Sequence, residues 1–120
     1  MELPSHLWFS IFEYLSDSDM KHLWLRTAKF GNLKFMKLLI DYGINVDCHW
    51  RRKSITALVI VCRFGHKDCV KLLLDAGANV NVGNCDGMTA IMWASRNYHL
   101  DIVKMLNEES LGESRDGVFN

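Results

Sequence analysis

The sequence predicts an all-α solenoid of about three helix-turn-helix units with projecting finger loops, preceded by one or two N-terminal helices. Three observations lead there. The stretch Thr56 to Asn81, TALVIVCRFGHKDCVKLLLDAGANVN, reads as a helix, a tight turn at Gly65-His66, a second helix and a Gly-terminated exit. Thr56 is placed to cap the first helix by accepting a backbone N–H, and Gly77 suits the left-handed position that ends the second. The second observation is spacing. Gly31 and Gly65 stand 34 residues apart, as do Gly43 and Gly77, while Thr56 and Thr89, like Ala57 and Ala90, stand 33 apart. The third is burial: Cys69, Val70, Leu73 and Leu74 recur at helical spacing and need a covered face. Two short helices cannot provide it alone, whereas stacked copies can.

The N-terminal segment comes first. Leu3, Leu7, Ile11, Phe12 and Leu15 fall near i, i+4, i+8, i+9 and i+12, the pattern of an amphipathic helix with Pro4 tolerated in its first turn. Ser16-Asp17-Ser18-Asp19 breaks that pattern and caps a helix expected to begin near Met20. In the first unit, Thr27-Ala28-Lys29-Phe30-Gly31 fills the slot of Val61-Cys62-Arg63-Phe64-Gly65, and Leu33, Met36, Leu39 and Ile40 give the next helix its buried face. The finger from Asp47 to Thr56 is one residue longer than that from Asn81 to Thr89, and holds His49-Trp50-Arg51-Arg52-Lys53 in place of an Asp-Gly turn. In the third unit Ile102, Val103 and Leu106 keep the register of a second helix expected over Leu100 to Glu108. Ser110 then stands where Gly43 and Gly77 stood, and LGESRDGVFN reads as a short, polar, disordered tail. About three units are needed for stability, so the stack should be marginal and lean on its N-terminal helix or on a partner.

Gly65-His66, Val70-Lys71, Leu72-Leu73 and Gly77-Ala78-Asn79-Val80-Asn81, with Asp86-Gly87-Met88-Thr89 opening the next unit, resemble the ankyrin repeat in register at its period. The resemblance covers roughly residues 20–110. It implies units at 20–52, 53–85 and 86–110, the last incomplete, with 1–22 in front and 111–120 as tail. It also implies a protein-binding scaffold with a concave face at the ends of the first helices, and fingers that touch partners. Lys29, Arg63 and Arg96 recur in register at those ends, followed by Phe30, Phe64 and Asn97. Packing does not need three cations in a row, and like charges repel within a screening length of about 8–10 Å. The stripe therefore predicts a groove for an acidic, aromatic-containing peptide, with ordinary surface filling as the plain alternative. In the first finger, Trp50, Arg51, Arg52 and Lys53 include residue types enriched at interface hot spots; the alternative is that Trp50 packs under its own loop. Ile55 and Met88 complete the expected partner surface.

LPSHLWFSIFEYLSDSDMKHLWLRTAKF resembles an F-box, with Leu3, Pro4, Leu7, Ile11, Phe12, Tyr14, Leu15, Asp19 and Met20 at matching positions. The resemblance implies docking on the adaptor subunit of an SCF-type ubiquitin ligase through Leu3, Pro4, Leu7, Ile11, Phe12 and Leu15, with any ubiquitin transfer left to the assembled ligase. A complete F-box is longer, and here its third helix, Leu23 to Phe30, is also the first helix of the first ankyrin unit. One helix cannot offer the same face to both. The rival reading makes these helices a hydrophobic cap on a plain binding scaffold, and a third makes the chain a truncated stack.

Composition excludes several classes. The chain has 120 residues, enough for one small domain, and 14 basic against 14 acidic residues, so as a whole it is not built for a polyanion. One short run, Trp50 to Lys53, makes few phosphate contacts, so no nucleic acid is expected. No apolar run is long enough to cross a membrane, and the acidic Met1 to Pro4 lacks the basic region of a secretory signal. Four cysteines, Cys48, Cys62, Cys69 and Cys85, fit reduced thiols in the cytoplasm or nucleus. Cys62, His66 and Cys69 fall at i, i+4 and i+7, but the Gly-His turn interrupts that face, and zinc needs a fourth ligand. Repeat register assigns Cys62 to the small slot of Ala28 and Ser95, and Cys69 to the core slot of Phe35 and Ile102. His66 and His99 share the turn position, where the ankyrin resemblance implies ring-to-backbone bonds. No metal, cofactor or catalytic group is expected, and an enzyme is the least favoured class. The expectation is a monomeric interaction protein.

Overall fold

The computed structural model describes residues 3–49, 55–81 and 87–110. Among these lie seven helices: α1 (Ser5–Phe12), α2 (Asp17–Phe30), α3 (Leu33–Tyr42), α4 (Ala57–Phe64), α5 (Lys67–Asp75), α6 (Ala90–Arg96) and α7 (Leu100–Ser110). Three of them, α2, α3 and α4, begin where a short polar side chain satisfies an otherwise orphaned N–H. Ser16 and Asp19 form a reciprocal capping box, the Asp19 N–H donating to Ser16 Oγ at 3.1 Å. That box starts α2 at Asp17, one turn earlier than the sequence suggested. Asn32 Oδ1 caps α3 by accepting from Phe35 N–H at 3.1 Å, and Thr56 Oγ1 accepts from Val59 N–H at 3.4 Å, as expected. At the far end, α7 continues through Ser110 rather than stopping at Glu108.

α2, α4 and α6 stack in one row, and α3, α5 and α7 in a second. Each first-row helix also packs on its hairpin partner. The shared wall is apolar: Trp24, Ala28, Leu58, Val61 and Cys62 from the first row meet Met36, Leu39, Val70 and Leu73 from the second, all buried. The units are also stitched by polar contacts. The His66 ring bonds the Lys29 carbonyl oxygen through Nε2 at 2.8 Å, and the His99 ring bonds that of Arg63 at 3.2 Å. In the fingers, Asp47 Oδ1 accepts from Asn79 N–H at 2.9 Å. An isolated antiparallel bridge, His49 to Thr56, closes the base of the first finger.

The turn glycines serve these stitches. Gly31 (φ 67°) and Gly65 (φ 79°) end α2 and α4 in the left-handed region. A Cβ on Gly31 would lie 2.6 Å from the His66 ring, and one on Gly65 would lie 2.6 Å from that of His99. Each turn is thus bare where the next unit's histidine enters. The third unit has Tyr98 at this position, with φ 61° and its side chain almost wholly in solvent.

α1 closes the first end, with a face other than the one its leucines suggested. Trp8 packs edge-on to Phe35 at 5.0 Å, Phe9 lies 5.3 Å from Tyr42, and Phe12 lies 5.1 Å from Tyr42 and 6.0 Å from Phe35. Leu3, Leu7 and Ile11 remain 45%, 42% and 42% exposed. The aromatic side wins because each ring removes more apolar area from water than a leucine does. Leu33, expected in the core of α3, is likewise exposed, because Phe35 and Tyr42 carry the contact with α1. At the other end of the stack, Met92 is 48% exposed where its counterpart Val59 is 3% exposed between α4 and α6.

Candidate functional site

The first-row helices leave a cavity of about 420 Å³, lined by His22, Leu25, Arg26, Lys29, Ile55, Val59, Ile60, Arg63, Phe64 and Trp93. Its floor is aliphatic and its walls carry Arg26, Lys29 and Arg63, with no carboxylate among the described lining residues. Three of the sequence-derived cations and aromatics, Lys29, Arg63 and Phe64, therefore meet here, together with Ile55. Phe30 is exposed beside them, beneath Arg26 at 5.7 Å and Lys29 at 5.8 Å.

Aromatic rings order the cations. The Arg63 guanidinium lies 5.0 Å from the Trp93 ring centre and 5.3 Å from that of Phe64, and Arg96 lies 5.7 Å from the same indole. Each such contact contributes about 0.5–1 kcal/mol at exposed sites. Such contacts also leave the guanidinium N–H donors available to a ligand, since a ring face takes none of them as a hydrogen-bond acceptor in the plane.

The stripe was legible in part. Sequence reasoning missed Arg26, Ile60 and Trp93, although each stands three residues before a stripe cation and so lies on the same helix face. They escaped notice because the position changes residue type from unit to unit. Asn97, expected on the partner surface, is exposed, and its side-chain amide donates to the Arg63 carbonyl at 3.0 Å, tying the third unit to the second beside the groove. Met88 is half-buried ahead of α6 and does not line the cavity. Trp50, Arg51, Arg52 and Lys53 lie outside the described residues.

A family model for ankyrin repeats (3 copies) matches residues 24–114. The chain belongs to the ankyrin-repeat family. No curated protein matches it at a significant level. As an ankyrin-repeat solenoid it is a protein–protein interaction module. Among the described residues, no group of three or more His, Cys, Asp or Glu could hold a metal ion, and no helix is long and apolar enough to cross a membrane.

The ankyrin register accounts for the cysteines and histidines. Burial pushes the Cys62 thiol up to about 12, and it also raises those of Cys69 and Cys48, the last opposed by nearby Lys21. These thiols stay protonated and inert at neutral pH. His66 and His99 bond backbone, as the resemblance implied.

At the N-terminus, Pro4 is the exposed cap residue of α1, and Leu3, Leu7 and Ile11 form an open stripe. Phe12, also assigned to adaptor docking, is a correction: it is 1% exposed beneath the helix and cannot face a partner in this conformation. Leu15 is partly buried against the core.

Proposed function

We propose that the groove between α2, α4 and α6 captures a segment of a partner protein that carries an apolar residue flanked by acidic ones. The observation behind this reading is a one-sided charge. The whole chain is neutral, yet Arg26, Lys29 and Arg63 converge on one apolar cavity without a carboxylate among its described lining residues. Apolar contact on Leu25, Val59 and Ile60 would supply affinity, and the cations would set orientation and speed encounter. Fluorescence anisotropy of the full chain with a labelled acidic peptide bearing a central Leu or Phe tests it. Arg63→Glu should weaken binding about tenfold or more and flatten its salt dependence. Equal affinity for an all-neutral peptide would remove the charge argument.

The open stripe on α1 supports a second role. Leu3, Leu7 and Ile11 present an apolar edge that the stack does not cover, on the segment that resembles an F-box. In this reading the stripe docks on the adaptor of an SCF-type ubiquitin ligase while the groove holds the substrate. Two features oppose it: Phe12 is buried, and α2 is committed to the stack by Trp24, Leu25 and Ala28. Leu3→Ala with Leu7→Ala should abolish adaptor binding and leave thermal unfolding nearly unchanged, since both side chains are exposed. A wild-type chain that ignores the adaptor would leave α1 as a cap alone. The free thiols at Cys48, Cys62 and Cys69 support a reducing compartment, cytoplasm or nucleus, as the place of action.

A further inference from the structure

The described residues do not neutralise the cations of the groove. Among the described residues Lys67 and Asp101 form an exposed ion pair at 3.4 Å, but no described carboxylate pairs with Arg26, Lys29, Arg63 or Arg96. Their contacts are with rings instead. Three of the four line a single cavity of about 420 Å³, with His22 at its edge.

We propose that this cavity binds a phosphorylated serine or threonine of the partner, with the neighbouring apolar residue seated on Leu25, Val59 and Ile60. The inference rests on the groove being the partner site, and it names what the groove reads.

The charge decides between carboxylate and phosphate. A single carboxylate brings one negative charge and two acceptor atoms, which leaves at least two of Arg26, Lys29 and Arg63 repelling one another. A phosphate monoester brings about −1.5 to −2 and three acceptor oxygens. That matches three converging cations far more closely. The residue types agree. Arg63 lies within cation–π reach of both the Phe64 ring at 5.3 Å and the Trp93 ring at 5.0 Å, contacts that favour its place at the cavity, and its planar fork of N–H donors suits phosphate oxygens. Lys29, a flexible point charge over Phe30, can follow a third oxygen. Ion pairing inside an apolar-floored cavity is also screened less than on an open surface.

The test uses the full chain and three degenerate peptide libraries, X5-B-X5, identical but for a central phosphoserine, glutamate or serine at B. Retention of the phosphoserine library at least tenfold above the other two is the expected result. Arg63→Gln and Arg26→Gln should each remove most of that advantage while leaving the far-ultraviolet circular dichroism unchanged; both side chains are exposed. If either variant unfolds, Lys29→Gln and competition of the wild-type chain by inorganic phosphate give the same reading. Equal retention of glutamate and phosphoserine libraries overturns the phosphate inference and leaves the acidic-segment reading standing. Retention of none of the three overturns both. Tighter binding of a mixed-sequence RNA 12-mer than of the phosphoserine library also overturns it.

Discussion

At the scale of single residues, the turn glycines carry two separate duties that mutation can divide. Gly43 (φ 110°) needs only a left-handed backbone, because nothing lies within 4 Å of where a Cβ would be. Gly65 needs that backbone and also the space beneath His99. Gly43→Ala should cost about 1 kcal/mol, and Gly65→Ala about 2 kcal/mol or more, read from urea unfolding midpoints. Tyr98 shares the left-handed turn but carries no such duty, so Tyr98→Gly should stabilise by about 0.5–1 kcal/mol. The sequence revealed these turns through glycine spacing alone. It could not reveal that Gly31 makes room for His66, since that contact joins residues 35 apart and depends on how closely two units approach. The groove shows the same division. Lys29, Arg63 and Arg96 were found because like charges repeat, whereas Arg26, Ile60 and Trp93 share a helix face without sharing chemistry.

At the scale of elements, α1 shows where periodicity stops being informative. Apolar spacing correctly announced a helix near Leu3 to Leu15, but two apolar edges lie about 150° apart on it at 3.6 residues per turn, one of leucines and one of rings. The choice between them is made by α3, whose Phe35 and Tyr42 offer partners for Trp8, Phe9 and Phe12. Phe12→Ala should therefore destabilise the stack by about 3 kcal/mol or more, while Leu7→Ala should change it by less than about 0.5 kcal/mol. Thermal melts of the two variants side by side check this. A comparable loss from both would mean that the leucine edge is the one that caps. The result bears on function too, because an edge that contributes nothing to folding is free to evolve as a docking surface.

At the scale of the whole molecule, cooperativity depends on one wall shared by all units, and Cys62 sits within it at 0% exposure. Its thiol is raised to about 12 by burial. Between an ordinary thiol value near 9 and that figure, the unfolded chain releases this proton and the folded chain keeps it. Stability should then fall by up to about 1.4 kcal/mol for each pH unit above 9 on this account. Cys62→Ala, which copies Ala28 of the first unit, should remove that slope; denaturant midpoints at pH 8, 9 and 10 measure the difference. The wild type and the variant should run parallel below pH 8. The pairing of a bare turn with the next unit's imidazole has a genetic corollary. An in-frame duplication of residues 53–85 would lengthen the protein seamlessly, because its own Gly65 would receive a second copy of His66. Duplication of the final hairpin would set the Tyr98 side chain under an incoming ring, so inheritance can lengthen this molecule from its middle far more readily than from its end.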